Sequence, residues 1–115
     1  LLLGPPDVIA TVRPQVLAQF GRQINLVSTE PELLQIMAKD VSKAAALRRL
    51  VETYGIPLQN VLAIGDGEND IDMLKECGIG VAVANAAPAL KAVAQWVTPS
   101  PNSHGVADAI RRFVC

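Results

Sequence analysis

The sequence predicts an α/β fold in which a parallel β-sheet is flanked by helices. From residue 40 onward, segments with helical periodicity alternate with short apolar runs, which is the order expected for repeated β–α units. These runs are continuously apolar rather than alternating, as in parallel strands that are buried on both faces. Half of the 115 residues are hydrophobic but only 3% are aromatic, so the core must be built from Ala, Val, Leu and Ile.

The first 38 residues have a less regular pattern. Pro14 is placed to open a short helix that runs through Phe20, because proline is tolerated in the first turn of a helix. Residues 24–28 have the apolar character of a strand. Residues 32–37 fit a second strand, although the spacing of their apolar side chains also fits a helix.

The first helix and strand after residue 40 have clear boundaries. Ser42 is a good N-cap for a helix that continues to Tyr54. Gly55 follows directly and is expected to end the helix. Residues 61–64 are all apolar and form the first predicted strand of the parallel sheet.

The remaining elements continue the same alternation. The pattern predicts helices over residues 70–77, 88–94 and 105–113, strands over residues 79–84 and 96–98, and a loop over residues 99–103. The order of helices and strands is therefore that of a parallel sheet covered by helices.

Composition and charge argue against several classes of partner. The formal net charge of −1 gives no support for a nucleic-acid or membrane-surface partner, because both require a basic face. The apolar runs are too short to span a bilayer. Cys77 and Cys115 make no disulfide framework and are typical of a reducing cytoplasm. The chain starts at Leu1 rather than Met, and we expect it to begin inside a longer protein.

The most informative segment is the acidic loop, residues 65–72, which follows the strand at residues 61–64. It contains four acidic residues within seven positions, and Asp66 stands at the carboxyl end of the strand, where ligands bind in open α/β sheets. A capped helix start would explain one or two of these acids, with Asp66 or Asn69 as the N-cap. A cation would relieve the repulsion among all four, and oxygen ligands without His or Cys favour Mg²⁺.

Two other interpretations of the acidic loop fail. A dinucleotide fingerprint would need a third glycine where Asp70 stands, and a carboxylate there would repel a pyrophosphate. An EF-hand would need glycine at the sixth position and glutamate at the twelfth, but Ile71 and Cys77 occupy them.

Several motifs in order resemble the haloacid dehalogenase phosphatases. Residues 65–74, Gly-Asp-Gly-Glu-Asn-Asp-Ile-Asp-Met-Leu, resemble the fourth motif of that superfamily. Residues 40–47 resemble the third motif of its Cof-type branch, whose lysine opens a helix; Ala44 stands where the branch usually has glycine. Residues 80–86 and 105–107 match the same branch in order and spacing.

The resemblance implies a fold and a domain organisation. Residues 39–115 would be the C-terminal half of a Rossmann-like core domain. Residues 1–38 would be the C-terminal remnant of an inserted α+β cap domain, which selects the substrate in this branch.

The resemblance also implies a function, that of a cytoplasmic Mg²⁺-dependent phosphatase. Its substrate would be a small phosphorylated metabolite such as a sugar phosphate, hydrolysed through an aspartyl-phosphate. Asp66 would bind Mg²⁺, and Asp70 would help to hold the ion and orient the loop. Asn69 would hydrogen-bond the substrate phosphate, and Lys43 would neutralise the phosphoryl group. A cation held by carboxylates together with a lysine is the equipment that phosphoryl transfer requires.

The nucleophile implied by the resemblance is missing from these residues. The family carries it in an Asp-x-Asp motif on the first core strand, whereas the only such motif here, Asp70 to Asp72, lies in a predicted helix. We therefore expect the nucleophile upstream of Leu1, and no turnover from the chain alone. The strand at residues 61–64 would lack its neighbour, and we expect self-association through this open edge.

Two other functions stay open at this stage. A transport-ATPase phosphorylation domain has a similar acidic loop, but no membrane helix follows here. A non-catalytic domain that binds a partner would also fit the missing nucleophile. Among the other polar residues, Asn85 follows a strand and could cap a turn or serve the site, whereas His104 is expected at the surface and Trp96 in packing.

Overall fold

The computed structural model describes residues 1–115 and contains two sheets, each with three strands. Short 3₁₀ turns lie at Leu58–Asn60 and Glu68–Asp70. The elements in chain order are β1 (Leu2–Leu3), α1 (Pro6–Phe20), β2 (Ile24–Val27), β3 (Leu33–Ala38), α2 (Lys43–Tyr54), β4 (Leu62–Gly65), α3 (Ile71–Glu76), β5 (Ile79–Ala82), α4 (Pro88–Val93), β6 (Trp96–Val97) and α5 (Asn102–Phe113).

The second sheet is parallel, with strand order β4-β5-β6. Leu62 is paired with Ile79 and Gly65 with Ala82, so the carboxyl ends of β4 and β5 lie side by side. Helices α3, α4 and α5 contact these strands. The predicted α/β fold, a parallel sheet flanked by helices, is confirmed.

The first sheet is antiparallel, with strand order β1-β3-β2. The segment that fitted either a strand or a helix is strand β3, which pairs with β2 from Gln35 to Ala38 and with β1 at Leu33 and Leu34. Pairing on both sides decides the question, because β3 is the central strand and its backbone groups need partners.

The helix predicted from Pro14 to Phe20 is longer than expected and begins at Pro6. Pro6 occupies the first turn, where no N–H donor is required. Pro14 lies inside the helix and cannot donate to the carbonyl of Ala10, but both residues are exposed, so water can satisfy that carbonyl. The prediction placed the first-turn proline eight positions too late.

The helix from Lys43 to Tyr54 agrees with the prediction at both ends. The Ser42 hydroxyl accepts a hydrogen bond from the Ala45 N–H, and Gly55 ends the helix with a left-handed φ of 64°. In contrast, the loop expected over residues 99–103 is shorter, because α5 begins at Asn102.

The hydrophobic core lies between the parallel sheet and its helices. It is a cluster of buried, mostly aliphatic side chains: Ala63, Leu74, Cys77, Ala82, Val83, Ala86 and Leu90. This core fixes the strand ends from which the acidic loop emerges. None of the helices is both long enough and apolar enough to cross a membrane.

Candidate active site

The acidic loop lies at the carboxyl end of β4, next to the end of β5. The Val83 N–H donates to the Gly65 carbonyl at 3.1 Å, and the Ala87 N–H donates to the Asp66 carbonyl at 2.8 Å. The residues that follow β5 therefore hold the backbone of the acidic loop from one side. This edge of a parallel sheet is the usual place for a ligand.

Asp70 organises the acidic loop from inside. Its side chain is 2% exposed, and its Oδ1 accepts a hydrogen bond from Lys43 Nζ at 2.5 Å. Its Oδ2 accepts from the N–H groups of Asp66 at 3.0 Å and Gly67 at 3.2 Å. A buried carboxylate is costly unless it is paired and hydrogen-bonded, and here both of its oxygens are satisfied.

Gly65 is required by the close approach of Asp70. A Cβ atom at Gly65 would lie 2.6 Å from both Cβ and Oδ2 of Asp70, which is well inside van der Waals contact. Any side chain there would push Asp70 away from Lys43 and from the loop amides.

Asp66 is the exposed carboxylate of this group. It lines a cavity of about 260 Å³ together with Lys43 and Asp70. Its side chain makes no ion pair or hydrogen bond within the chain, whereas its backbone is held at both N–H and C=O. The Asp66 carboxylate is therefore available for a ligand on a backbone that is fixed.

Lys43 lies at the first position of α2 and links two cavities. It lines the cavity with Asp66 and Asp70, and also a second cavity of about 510 Å³ between the first sheet and helices α2 and α3. Asn69 lines the second cavity but not the first. The structure thus brings Lys43, Asp66 and Asp70 together and places Asn69 on the neighbouring side of Lys43.

The residues present fit Mg²⁺ only as a partial ligand set. The chain brings together no group of three or more His, Cys, Asp or Glu side chains that could hold a metal ion. Mg²⁺ is commonly bound through one or two carboxylates plus waters and substrate phosphates. The free Asp66 carboxylate meets that requirement, whereas both oxygens of Asp70 already have partners.

A third cavity of about 450 Å³ faces the other side of Asp66. The loop between β2 and β3, residues 28–31, lines it together with Asp66, Glu68 and Asn85. Arg13 of α1 lies 3.9 Å from Glu68 and donates a hydrogen bond to the Ser28 hydroxyl at 3.4 Å. The antiparallel region therefore covers the acidic loop with polar groups.

Sequence reasoning did not identify the polar groups from the antiparallel region. Arg13 and Ser28 are far from Glu68 in the sequence, and neither belongs to a motif that carries chemistry. Only the Ser-Thr-Glu-Pro composition of residues 28–31 offered a signal, and that signal indicates a turn rather than a site.

The other singled-out residues lie as expected. His104 is exposed, and Trp96 packs edge-on against Phe113, with ring centroids 5.6 Å apart. Both cysteines are free. Burial, with a smaller contribution from Glu76, raises the pKa of the Cys77 thiol, so this group is not an activated nucleophile.

A family model and the relatives with similar sequences assign this chain to the same family. The family model for haloacid dehalogenase-like hydrolases matches residues 2–110. A 5-amino-6-(5-phospho-D-ribitylamino)uracil phosphatase of Bacillus subtilis is 37% identical over 90% of this chain. A phosphoglycolate phosphatase of Methanothermobacter thermautotrophicus is 46% identical over 64% of it. The chain spans 42% of the first relative's length and 34% of the second.

Solved structures agree with the sequence relatives. A sugar phosphatase of haloacid dehalogenase subclass IIB superposes with a TM-score of 0.83 at 30% identity, over 90% of this chain and 40% of that one. A haloacid dehalogenase-like hydrolase from Bacteroides thetaiotaomicron gives a TM-score of 0.76 at 34% identity, over 96% and 41%. The predicted resemblance to this superfamily is confirmed.

Proposed function

Because this chain belongs to the haloacid dehalogenase-like hydrolase family, we propose that it is the phosphate- and metal-binding part of a Mg²⁺-dependent phosphatase. The observation that carries the proposal is the set of Lys43, Asp70 and Asp66 at the carboxyl end of β4. The Lys43 ammonium, the fixed carboxylate of Asp70 and the free carboxylate of Asp66 share one cavity there. Phosphoryl transfer requires such a combination of positive charge and metal-binding carboxylate.

Asp66 is the residue proposed to hold Mg²⁺. When bound, the ion supplies charge neutralisation at a phosphoryl oxygen. The chain's own contribution is to present the Asp66 carboxylate on a backbone held by Asp70 and Ala87. Asp70 acts mainly as the organiser of the loop, because both of its oxygens already accept hydrogen bonds.

Lys43 is the residue proposed to bind the phosphoryl group. Its ammonium carries three donors, and one of them is directed at Asp70 Oδ1, so the others are free for phosphate oxygens. The side chain is 49% exposed, which leaves it accessible to a substrate. Asn69 would contact the phosphate or its neighbouring groups from the other side of Lys43.

The nucleophile is proposed to come from outside these 115 residues. Asp70 is buried with both oxygens engaged, and Asp72 is exposed on α3, so neither is placed to attack a phosphoryl group. In the complete protein an aspartate on a strand beside β4 would form the aspartyl-phosphate. Residues 39–115 would then be part of the core domain and residues 1–38 part of the cap.

The proposed substrate is a small phosphorylated metabolite. The relatives named above are a ribitylaminouracil phosphate phosphatase, a phosphoglycolate phosphatase and a sugar phosphatase. The cavity between Asp66 and residues 28–31 is lined mostly by polar and charged residues, which would suit a hydroxylated leaving group such as a sugar. The two free cysteines fit a reducing cytoplasm.

The proposal is tested on the complete protein that carries this chain, with p-nitrophenyl phosphate as substrate. Hydrolysis should require Mg²⁺ and stop with EDTA. Lys43→Ala should lower kcat/KM about 100-fold, because a charge that stabilises the transition state is lost. Lys75→Ala is the matched control, since Lys75 is an exposed lysine of α3 outside these cavities.

Two results would contradict the proposal. One is Mg²⁺-independent hydrolysis by the purified protein. The other is a Lys43→Ala variant that keeps more than about a tenth of the wild-type rate, a deficit below ~1.4 kcal/mol in the activation free energy.

A further inference from the structure

Asn85 and Asn102 form a reciprocal hydrogen-bonded pair. The Asn85 side-chain Nδ2 donates to Asn102 Oδ1 at 2.8 Å, and the Asn102 backbone N–H donates to Asn85 Oδ1 at 3.0 Å. Asn85 follows β5, and Asn102 is the first residue of α5. The pair therefore ties the turn after β5 to the start of the last helix.

The backbone at Asn102 favours this residue type. Asn102 is the one non-glycine residue with positive φ, at 50°. Asparagine tolerates this left-handed conformation better than most residues. The conformation allows a single residue to present both its N–H and its side-chain oxygen to Asn85.

The turn held by this pair contacts the acidic loop. Two residues after Asn85, the Ala87 N–H donates to the Asp66 carbonyl at 2.8 Å. Asn85 and Asp66 line the cavity that faces residues 28–31, whereas Asn102 and Asp66 line the smaller cavity with Lys43. The asparagine pair thus stands between two cavities that share Asp66.

The buried hydroxyl of Thr98 stabilises the same turn through hydrogen bonds. Thr98 is 2% exposed. Its Oγ1 accepts from the Ala84 N–H at 3.1 Å and donates to the Ser100 carbonyl at 2.6 Å. The segment before Asn85 and the segment before Asn102 are therefore joined through Thr98. The asparagine pair adds a second, more exposed link between the same two segments.

We propose that Asn85 and Asn102 are positioning residues for Asp66. By holding the turn after β5 against α5, they would keep the Ala87 N–H on the Asp66 carbonyl and so hold the Asp66 carboxylate in the position from which it would bind the ion. This inference rests on the proposed function, because it takes Asp66 as the magnesium ligand. Mutation of residues that orient a metal ligand through hydrogen bonds typically weakens metal affinity by about 10- to 100-fold.

The test compares variants of the complete protein by calorimetric titration with MgCl₂ and by amide hydrogen exchange at Ala87. Asn85→Ala removes both side-chain bonds, and Asn102→Gly removes only the Oδ1 acceptor while suiting the positive φ. Each should weaken Mg²⁺ binding about tenfold, and the double variant should be no weaker than Asn85→Ala alone. Asn102→Asp retains an oxygen acceptor and should bind Mg²⁺ more tightly than Asn102→Gly. Asn60→Ala, an exposed asparagine before the amino end of β4, is the matched control.

Hydrogen exchange separates positioning from a general loss of structure. Ala87 should exchange faster in both Asn85→Ala and Asn102→Gly, while the buried strand β5 keeps its protection. If Asn85→Ala does not fold, Asn102→Gly decides the question by the same readouts. Mg²⁺ affinity within about twofold of wild type in the folded variants, well short of the effect expected for such partners, would overturn the positioning role.

The two proposals can fail separately. If the wild-type protein does not bind Mg²⁺, the proposed function is wrong, and unchanged Ala87 exchange in the variants would then also reject the positioning role of the asparagine pair. If the wild-type protein binds Mg²⁺ and hydrolyses the substrate, but the variants match it, only the positioning role is wrong.

Discussion

Residues 1–38 and residues 43–115 each contain a three-stranded sheet, but they differ greatly in how much they bury. In the first region only Ile9 and Leu34 are buried, and long apolar side chains such as Leu17 and Phe20 are exposed at 52% and 44%. The second region holds the hydrophobic core around the parallel strands. A site that must hold charges in fixed positions is built on the better-packed region.

The two regions, which differ in burial, also contribute differently to the surroundings of Asp66. The parallel region fixes the acidic loop through Asp70 and through backbone bonds to the turn after β5. The antiparallel region contributes residues 28–31 and Arg13 from the opposite side, through exposed contacts. Because the contacts from the antiparallel region are exposed, they should stabilise the site less than the buried hydrogen bonds of the parallel region do.

The largest expected effect concerns catalysis by the 115-residue chain without the rest of the protein, because the parallel region would then hold a site that has no nucleophile. Residues 1–115 alone should not hydrolyse p-nitrophenyl phosphate above background, because binding and positioning groups without a nucleophile cannot form the aspartyl-phosphate. The complete protein is the positive control in the same assay. Mg²⁺-dependent turnover from the purified chain alone, with contaminants excluded, would show that the nucleophile lies within these residues.

A pair of core truncations measures the difference in packing directly. Leu90 and Leu34 are both fully buried, one in each region. Leu90→Ala should lower the free energy of unfolding by about 2–5 kcal/mol and reduce amide protection throughout the parallel sheet. Leu34→Ala should reduce protection in residues 1–38 and leave β4 and β5 protected, as measured by native-state hydrogen exchange. Equal loss of protection in β4 and β5 from both variants would mean that the two regions unfold as one.

The open edge of β4 is the next test of the parallel region. β4 pairs only with β5, so its other edge has no strand beside it. Its residues carry neither charge nor proline, and such an edge favours pairing with another chain. Light scattering across a dilution series should show self-association of the 115-residue chain. A monodisperse monomer at about 100 µM, where exposed edges normally associate, would mean that this edge is protected.

The smallest expected effect concerns the contact between the two regions. The Arg13–Glu68 pair is 3.9 Å long, and its side chains are 41% and 47% exposed. Arg13→Ala should change the free energy of unfolding by less than about 1 kcal/mol, and less still at high salt. Arg22→Ala, which removes an exposed arginine from the same region, is the control. A salt-independent loss above about 1 kcal/mol would show that the regions are docked more firmly than this contact indicates.

The sequence predicted best where the signals are local. Ser42 and Gly55 bound α2 because an N-cap hydroxyl and a left-handed glycine act within one turn of the helix. The start of α1 was misplaced because Pro6, like Pro14, can occupy the first turn of a helix, and only tertiary structure selects between them. β3 was ambiguous for the same reason, since its pairing partners are distant in sequence.

For the candidate site, the sequence indicated which residues come near each other but not the hydrogen bonds among them. The order of motifs indicated Lys43, Asp66 and Asp70, and the structure places all three around one cavity. That Asp70 uses both oxygens internally, and that Asn85 pairs with Asn102, depends on loops meeting in three dimensions. A linear pattern contains no signal for such pairings.

Asp66 carries the free carboxylate of the site, and its neighbours are proposed to hold it in place. Calorimetric titration of the complete protein with MgCl₂ tests this most directly, using Asp66→Asn and the control Asp72→Asn, which removes the same charge from the exposed face of α3. Asp66→Asn should weaken Mg²⁺ binding at least about tenfold, because a neutral amide is a poorer ligand for a hard cation, while Asp72→Asn should stay within about twofold of wild type. Equal affinities for wild type and Asp66→Asn, or equal losses in both variants, would contradict the role of Asp66 as the magnesium ligand.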